Sequence, residues 1–395
     1  MTAQSRQWRR SFGVALALAM VASTLTQFAV STLSPFLIRD LGLSRARFGV
    51  LAATVFFVGG IAAPLMGALV DRIGGRRAFI VLFASAALGW IGMAVSTSFA
   101  WAMLAVACGG VAAGGGNPVT NHLVMRYLPR GEQGAVMGVK QAGPQAAAIA
   151  TGLALPFGAA RIGWRWALAV TTVLVLLAAY KSVRVLPRSG PLPRRQHGNR
   201  PGEVERSTVR WITAHAFFMG VGISSVWSYV PLYAFELGFN ERVAGTTILC
   251  IGLVGLPALV YSGRVAERWR RFSGPLTAFA AGSAVCVVVM ELAAHGASWL
   301  VWLASIGFAV TAVPWHVVGM VAIIRQVNLA RAGRASGIVL MGFNAGLVAS
   351  PIVFGWTVDH TGGYAIGWLA TSAAFVVAAA VSWAWRVTNH SGALP

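Results

Sequence analysis

The chain has 395 residues, of which 57% are hydrophobic and 10% are charged, and its mean hydropathy is +0.71. An ordinary soluble domain carries roughly 25% charged residues, so this composition excludes a soluble globular protein. The formal net charge of +21 does not indicate a nucleic-acid-binding protein, because nearly all basic residues lie between apolar runs and no aromatic-basic motif accompanies them.

Twelve apolar runs follow one another along the chain, each long enough to cross a bilayer, which needs about 20 residues. They cover about 12–38, 48–70, 78–97, 100–125, 134–157 and 164–183, and then 211–235, 243–263, 275–294, 298–324, 335–357 and 364–385. The sequence therefore predicts an all-α polytopic membrane protein with twelve transmembrane helices.

Basic residues are distributed unequally between the two sides of the predicted membrane. Of the 31 Lys and Arg residues, 24 fall on the side that holds the N-terminus and six on the other, and Lys140 lies inside a span. By the positive-inside rule, both termini and the central loop are cytoplasmic. We therefore expect a multi-pass protein of the cell inner membrane.

A central polar segment divides the chain into two halves. Residues 184–210 are rich in Pro, Gly and Arg and show no helical period, which is typical of a cytoplasmic linker between an N-terminal half, 1–183, and a C-terminal half, 211–395. Each half holds six predicted spans, and Ser34–Leu43 matches Val230–Phe239 in pattern at an offset of 196 residues. This internal repeat predicts two pseudo-symmetric halves related along the membrane normal.

A short charged motif, GALVDRIGGRR from Gly67 to Arg77, lies between the second and third predicted spans. Its glycines permit a tight reversal, and its arginines hold the loop at the cytoplasmic face. A carboxylate at the depth of Asp71 can pair with a neighbouring cation or face a helix N-terminus, and either contact can differ between two conformations. The predicted switch motif comprises Gly67, Asp71, Arg72, Gly74, Arg76 and Arg77, and the repeat adds Glu267, where the loop glycines are absent.

The motif closely resembles the Gly-x-Leu-x-Asp-Arg-x-Gly-Arg-Arg signature of the major facilitator superfamily, which that family carries in the same loop. With the twelve spans and the repeat, the resemblance covers almost the whole chain. It implies the fold of that superfamily and secondary transport by alternating access, in which the two halves rock about a midplane site. It does not identify a substrate, because one fold serves many chemistries.

No enzyme motif accompanies this pattern. The sequence contains no HExxH, no Gly-x-Ser-x-Gly and no phosphate-binding loop. Its three cysteines, Cys108, Cys250 and Cys286, fall in apolar runs and form no CxxC pair. We therefore expect a transporter that is not an enzyme and that uses no metal or other cofactor.

Ionisable residues inside a membrane span are costly and are candidates for function by default. Lys140 lies inside the fifth span, and Gln141 and Gln145 follow it on the same helix, one turn apart. We interpret Lys140 as a residue that faces the substrate. The alternative is a lysine that extends to the cytoplasmic surface, roughly 9 Å away, and anchors the helix end.

Further polar and aromatic residues occur in the first, fourth, seventh and tenth spans, which line the cavity in the family that the motif resembles. Each of them taken singly is also typical of a hydrogen-bonded core residue. The predicted substrate-binding residues are Lys140, Gln141, Gln145, Gln27, Asn117, Asn121, His122, Tyr229, Trp315, His316 and Asn344, and the repeat pairs Asn117 with His316 and Gln145 with Asn344 at an offset of 199.

Carboxylates are scarce inside the predicted spans. Of the ten, only Glu291 lies within one, close to its outer end. A site for sodium or a cationic drug normally needs buried anionic or oxygen-rich ligands. We therefore expect a secondary transporter of a small organic anion such as a carboxylate, with Lys140 as its counter-ion.

The expected partners are an anionic small-molecule substrate, the lipid bilayer and protons as a candidate coupling ion, with no nucleic acid, and the expected state is a monomer. Proton dependence would come from a histidine, Glu291 or the acid group of the substrate. The alternative function is a proton-driven efflux pump for multiple drugs or hydrophobic compounds, in which Lys140 lies at the surface and aromatic side chains form the pocket.

Overall fold

The structure is a computed structural model that describes residues 3–129, 133–187, 203–266, 268–269, 272–326 and 332–391. In these ranges its regular elements are α-helices and one 3-10 turn, Ala293–His295. The first eight helices are α1 (Ala3–Thr32), α2 (Ser34–Leu41), α3 (Arg45–Ile73), α4 (Gly75–Ala94), α5 (Phe99–Tyr127), α6 (Gln133–Gln141), α7 (Gly143–Ile162) and α8 (Trp164–Val185). The other seven are α9 (Glu203–Glu236), α10 (Glu241–Ala266), α11 (Ser273–Leu292), α12 (Leu300–Thr311), α13 (Trp315–Gln326), α14 (Ala332–Thr361) and α15 (Ala365–Ser391).

The predicted polytopic helical fold is confirmed. In the described part of the chain, eleven helical segments are long and apolar enough to cross a membrane. The fifth predicted span, 134–157, is divided between α6 and α7. Pro144 explains this break, because it has no N–H to donate to the carbonyl of Lys140 one turn earlier. Lys140 therefore lies beside an interruption in the helix.

Positive-φ glycines occur at matching places in the two halves. Gly42 ends α2 with φ of 60°, and Gly238 follows α9 with φ of 97° at the predicted offset of 196 residues. Gly163 and Gly362, with φ of 83° and 69°, are related by the other offset, 199. A left-handed backbone favours glycine because glycine has no Cβ. The backbone thus repeats its turns as the sequence repeats its motifs.

The linker is shorter than the sequence predicted. Helix α8 extends to Val185 and α9 begins at Glu203, so residues 203–210 are helical rather than irregular. This stretch, EVERSTVR, contains neither Gly nor Pro, so no residue in it stops the helix from extending beyond the apolar run. Residues 188–202 lie outside the described ranges, and the division into halves at this point stays a prediction.

The two halves are joined by hydrogen bonds at the end of the bundle that carries few arginines, which we call the arginine-poor end. The backbone N–H groups of Arg45 and Ala46, at the start of α3, donate to the two carboxylate oxygens of Asp359 in α14 at 3.0 and 2.8 Å. The guanidinium of Arg45 also bonds Glu236 in α9 at 2.7 Å, and the hydroxyl of Tyr364 donates to the same carboxylate at 3.0 Å.

A second ion pair links Arg39 in α2 to Glu241 in α10 at 3.0 Å, and Arg39 also contacts Asp40 at 3.1 Å. The hydrogen bond to Asp40 raises the pKa of Arg39 and outweighs the opposing effect of its partial burial, so this guanidinium stays charged. The opposite, arginine-rich end carries Asp71, whose side chain is 67% exposed. The structure is therefore closed at the arginine-poor end.

Candidate functional site

The candidate site is built around Lys140, whose side chain is fully buried at the end of α6. Its ammonium group donates to the Oδ1 atom of Asn117 at 3.2 Å, to the Oγ1 atom of Thr120 at 2.9 Å and to the Oδ1 atom of Asn121. All three acceptors are on α5. The lysine therefore turns toward the neighbouring helix and does not extend to the membrane surface.

The spacing of the acceptors explains how one helix supplies all three. Asn117, Thr120 and Asn121 are three and four residues apart, so they lie on one face of α5. Each acceptor is neutral, and among the described residues no ion pair joins Lys140 to a carboxylate. The positive charge of Lys140 is thus hydrogen-bonded but not neutralised.

Asn117 faces away from the lipid. Its side chain is not covered by other protein atoms, and neither is the apolar side chain of Leu104 on the same helix. Thirteen residues at about 100° each place Asn117 about 140° around the helix from Leu104. Since Leu104, 66% exposed, marks the lipid-facing side, Asn117 faces an accessible space inside the bundle.

The charged motif lies at the arginine-rich end, where Gly74, with φ of 82°, separates α3 from α4. His122 is buried on α5, and its Nδ1 atom lies 3.5 Å from the Oδ1 atom of Asp71. This pair connects the loop carboxylate to the residue that follows Asn121. Of the other predicted members, Arg72 and Arg77 are exposed, Arg76 is half-buried, and Gly67 packs near Pro118, while Glu267 lies outside the described residues.

Two predicted binding residues, Tyr229 and Trp315, lie apart from the Lys140 cluster. Tyr229 is buried at the arginine-poor end, and its hydroxyl is 2.9 Å from the carbonyl oxygens of Arg45 and Pro351. Trp315 is buried in the C-terminal half, with ring centroids 5.8 Å from His215 and 5.0 Å from Phe343. Tyr229 is long enough for its hydroxyl to reach across to α3, and its role in substrate binding stays a prediction.

The other predicted residues are distributed over five helices, α1, α6, α7, α13 and α14. Gln145 is buried on α7, where a Cβ at Gly255 in α10 would lie 2.9 Å from its Oε1 atom. Gln141 is half-buried, and its buried Oε1 atom has no hydrogen-bond partner in the described part of the chain. Gln27, His316 and Asn344 are half-buried, and the ring of His316 is 6.1 Å from that of Phe343.

Sequence reasoning missed Thr120 and the role of the carboxylates at the arginine-poor end. A threonine in a helix usually bonds its own backbone, and Thr120 does donate to the carbonyl of Gly116 at 2.6 Å. Its position between Asn117 and Asn121 was the available signal. For Asp359 no signal existed, because its partners are backbone N–H groups 313 and 314 residues away in the chain.

A family model described as Major Facilitator Superfamily matches residues 16–323. The chain belongs to the major facilitator superfamily. It is 25% identical over 316 residues to the purine ribonucleoside efflux pump NepI of Salmonella paratyphi A (strain ATCC 9150 / SARB42), covering 78% of each chain. It is 26% identical over 266 residues, or 66% of each chain, to the pump of the same name from Salmonella enteritidis PT4 (strain P125109).

Two solved structures of transporters share the fold. A D-xylose-proton symporter superposes with a TM-score of 0.80 at 16% identity, covering 95% of this chain and 97% of that chain. The nucleoside transporter NupG superposes with a TM-score of 0.76 at 13% identity, covering 94% and 99%. Membership of the major facilitator superfamily indicates a membrane transporter of small molecules rather than an enzyme.

Proposed function

We propose that this chain is a secondary active transporter that moves a small organic anion, such as a carboxylate, across the cytoplasmic membrane by alternating access. The observation that carries the proposal is Lys140, which is fully buried and bonded to three neutral oxygens of α5. Neutral acceptors satisfy its N–H donors but leave a full positive charge inside the bundle. An anionic substrate nearby would compensate that charge.

The state of the bundle supports access from one side. The halves meet at the arginine-poor end through Asp359 and Glu236, while Asn117 is exposed. If the positive-inside rule sets the orientation, this is a conformation open to the cytoplasm. Such a conformation releases substrate in an importer and loads it in an exporter, so the proposal includes either direction of transport.

A second candidate is efflux of uncharged or hydrophobic compounds, favoured by the sequence likeness to purine ribonucleoside efflux pumps at 25% identity. The half-buried His316 and Phe343, whose ring centroids are 6.1 Å apart, would supply aromatic surface for such compounds. In this alternative, Lys140 would hold α5 and α6 together and would contribute little to substrate charge selection.

Transport by the purified protein in proteoliposomes separates these functions. Labelled benzoate, succinate and inosine would be tested, each with and without a pH gradient, with empty liposomes as the baseline. We expect accumulation of a carboxylate that depends on Lys140, and the chain offers Lys181, its other lysine and an exposed one, as the matched control. Transport of inosine with no transport of either carboxylate would contradict the anion proposal.

A further inference from the structure

The ammonium group of Lys140 has no proton left for a substrate. An ammonium carries three donors and no acceptor. Asn117, Thr120 and Asn121 take one donor each. The Thr120 hydroxyl donates its own hydrogen bond to the carbonyl of Gly116, so its oxygen is an acceptor toward Lys140. A substrate could reach the nitrogen only by displacing one of these oxygens.

The same bonds fix the orientation of two amides. Because the ammonium can only donate, Asn117 and Asn121 must each turn Oδ1 toward Lys140, and their Nδ2 groups then point away from it. Within the described ranges, no hydrogen-bond acceptor is found for either Nδ2 group. The two residues are four apart, so their amides lie on one face and about 6 Å apart along α5.

This face is accessible from inside the bundle. Asn117 is exposed on the side away from the lipid, and Asn121 is half-buried one turn further on. Together the two Nδ2 groups present four N–H donors and no acceptor. A carboxylate, which has two oxygens and only accepts, matches such a surface, whereas a group that carries its own N–H donors does not.

We propose that Lys140 is a positioning residue that turns Asn117 and Asn121 so that both Nδ2 groups donate to the carboxylate of the substrate. The inference rests on the proposed anion transport and specifies which atoms meet the anion. Lys140 contributes its charge through the polarised amides, since hydrogen bonds in a chain strengthen one another. Without the ammonium, either amide is free to rotate and to present its oxygen to the substrate.

The test is binding of benzoate and of its isosteric amide, benzamide, to the purified full chain. Lys140→Met, Asn117→Ala and the double variant form a cycle, and Lys181→Met is the control. We expect each single variant to lose about tenfold or more in benzoate affinity. The double variant should be within about twofold of the weaker single variant, because both changes remove the same contact.

The ratio of benzoate affinity to benzamide affinity distinguishes a positioning role of Lys140 from a purely structural one. In Lys140→Met the amides can rotate, so the ratio of benzoate to benzamide affinity should fall toward one. A loss of fold would lower both affinities together and leave the ratio unchanged. Size-exclusion profiles matching the wild type would identify the variants that are folded. Asn117→Asp keeps an oxygen for Lys140 but removes the donors, and it should bind benzoate as weakly as Asn117→Ala.

The outcomes separate this inference from the proposed function. Benzoate binding with additive losses in the cycle would overturn the positioning role and leave anion transport standing, because Lys140 would then meet the anion directly. Binding of inosine alone would overturn the anion substrate and, with it, the carboxylate contact of Asn117 and Asn121. No binding of any of the three compounds would overturn both.

Discussion

Lys140 is one of only two lysines in the chain, and the protein buries it beside an interrupted helix. Burying such a charge in a membrane is costly, so the residue is a candidate for function by default. The hydrogen bonds to α5 lower that cost without removing the charge, because Asn117, Thr120 and Asn121 are all neutral. At this scale, the site is a cation held by amides and a hydroxyl.

Replacing Lys140 tests the charge directly. Lys140→Gln should weaken carboxylate binding about tenfold or more, because it removes the charge that turns and polarises the amides of Asn117 and Asn121. Lys140→Arg keeps the charge but changes reach and geometry, so its affinity should lie between those of the wild type and Lys140→Gln. Equilibrium binding of labelled benzoate measures this order. Lys181→Gln, on the exposed surface of α8, should bind normally. An affinity of Lys140→Gln within about twofold of wild type would contradict the prediction.

The sequence indicated Lys140 because it lies well inside a predicted span, whereas the other basic residues lie outside the spans or within two residues of an end, and it indicated Asn117 and Asn121 as polar residues one turn apart. Their hydrogen bonds could not be predicted, since they depend on how closely α5 and α6 approach each other. The contacts of Tyr229 were equally unpredictable. Its aromatic ring and hydroxyl suggested a cavity residue, and the structure places the hydroxyl against the carbonyls of Arg45 and Pro351, more than 120 residues away in the chain.

Each end of helix α3 makes a contact that can differ between the two conformations of a transporter. Its first two N–H groups bond Asp359, and its last turn holds Asp71 beside His122. A carboxylate at a helix N-terminus gains both from the hydrogen bonds and from the helix dipole. Because Asp359 belongs to the other half, this gain exists only while the arginine-poor end is closed.

Asp359→Ala should therefore favour opening of the arginine-poor end. The lost cap is worth roughly 1 to 2 kcal/mol, and about 1.4 kcal/mol is tenfold in an equilibrium constant. In a cysteine-free background, the buried Ser34 replaced by Cys would report the opening through its rate of reaction with a membrane-impermeant maleimide. Thr361→Ala, near the same end of α14, serves as control because, among the described residues, the threonine hydroxyl bonds Thr357 and Gly363 and no residue of the N-terminal half. A labelling rate unchanged by Asp359→Ala would refute the role of the cap.

Gly49, one turn into α3, permits a close approach of the two halves. A Cβ at this position would lie 2.5 Å from the hydroxyl of Tyr229 and 2.8 Å from the backbone carbon of Pro351. Gly49→Ala should therefore keep the arginine-poor end apart, raise Ser34→Cys labelling and slow transport. Gly60→Ala is the matched control on the same helix, because the nearest atom there, the Cβ of Asn344, is 4.0 Å away. Equal labelling in the two alanine variants would contradict this account of the closed end.

At the scale of the whole molecule, the fold was predictable because the bilayer imposes a length on each span and the repeat imposes a symmetry on the two halves. The matching turns at Gly42 and Gly238 show that symmetry in the backbone. The site is less symmetric than the fold. At an offset of 199, Lys140 corresponds to the buried Val339, so one half carries the charge and the other an apolar side chain.

Exchange between the two conformations is the property that Asp71 should control. Its side chain lies at the arginine-rich end, 67% exposed, and 3.5 Å from His122, the residue that follows Asn121 on α5. Asp71→Asn removes the carboxylate charge beside His122 but keeps the shape. We therefore expect normal folding, benzoate affinity within about twofold of wild type and a turnover number lowered about tenfold or more, which corresponds to a barrier raised by about 1.4 kcal/mol.

Two measurements on the same preparation separate rate from binding. Equilibrium binding of benzoate to Asp71→Asn should match the wild type, while net transport in proteoliposomes should be slow at saturating substrate. Asp71→Glu retains the charge on a side chain one methylene longer, and it should recover part of the turnover. Wild-type transport rates in Asp71→Asn would refute the switch role. A loss of affinity equal to the loss of rate would instead place Asp71 in the binding site.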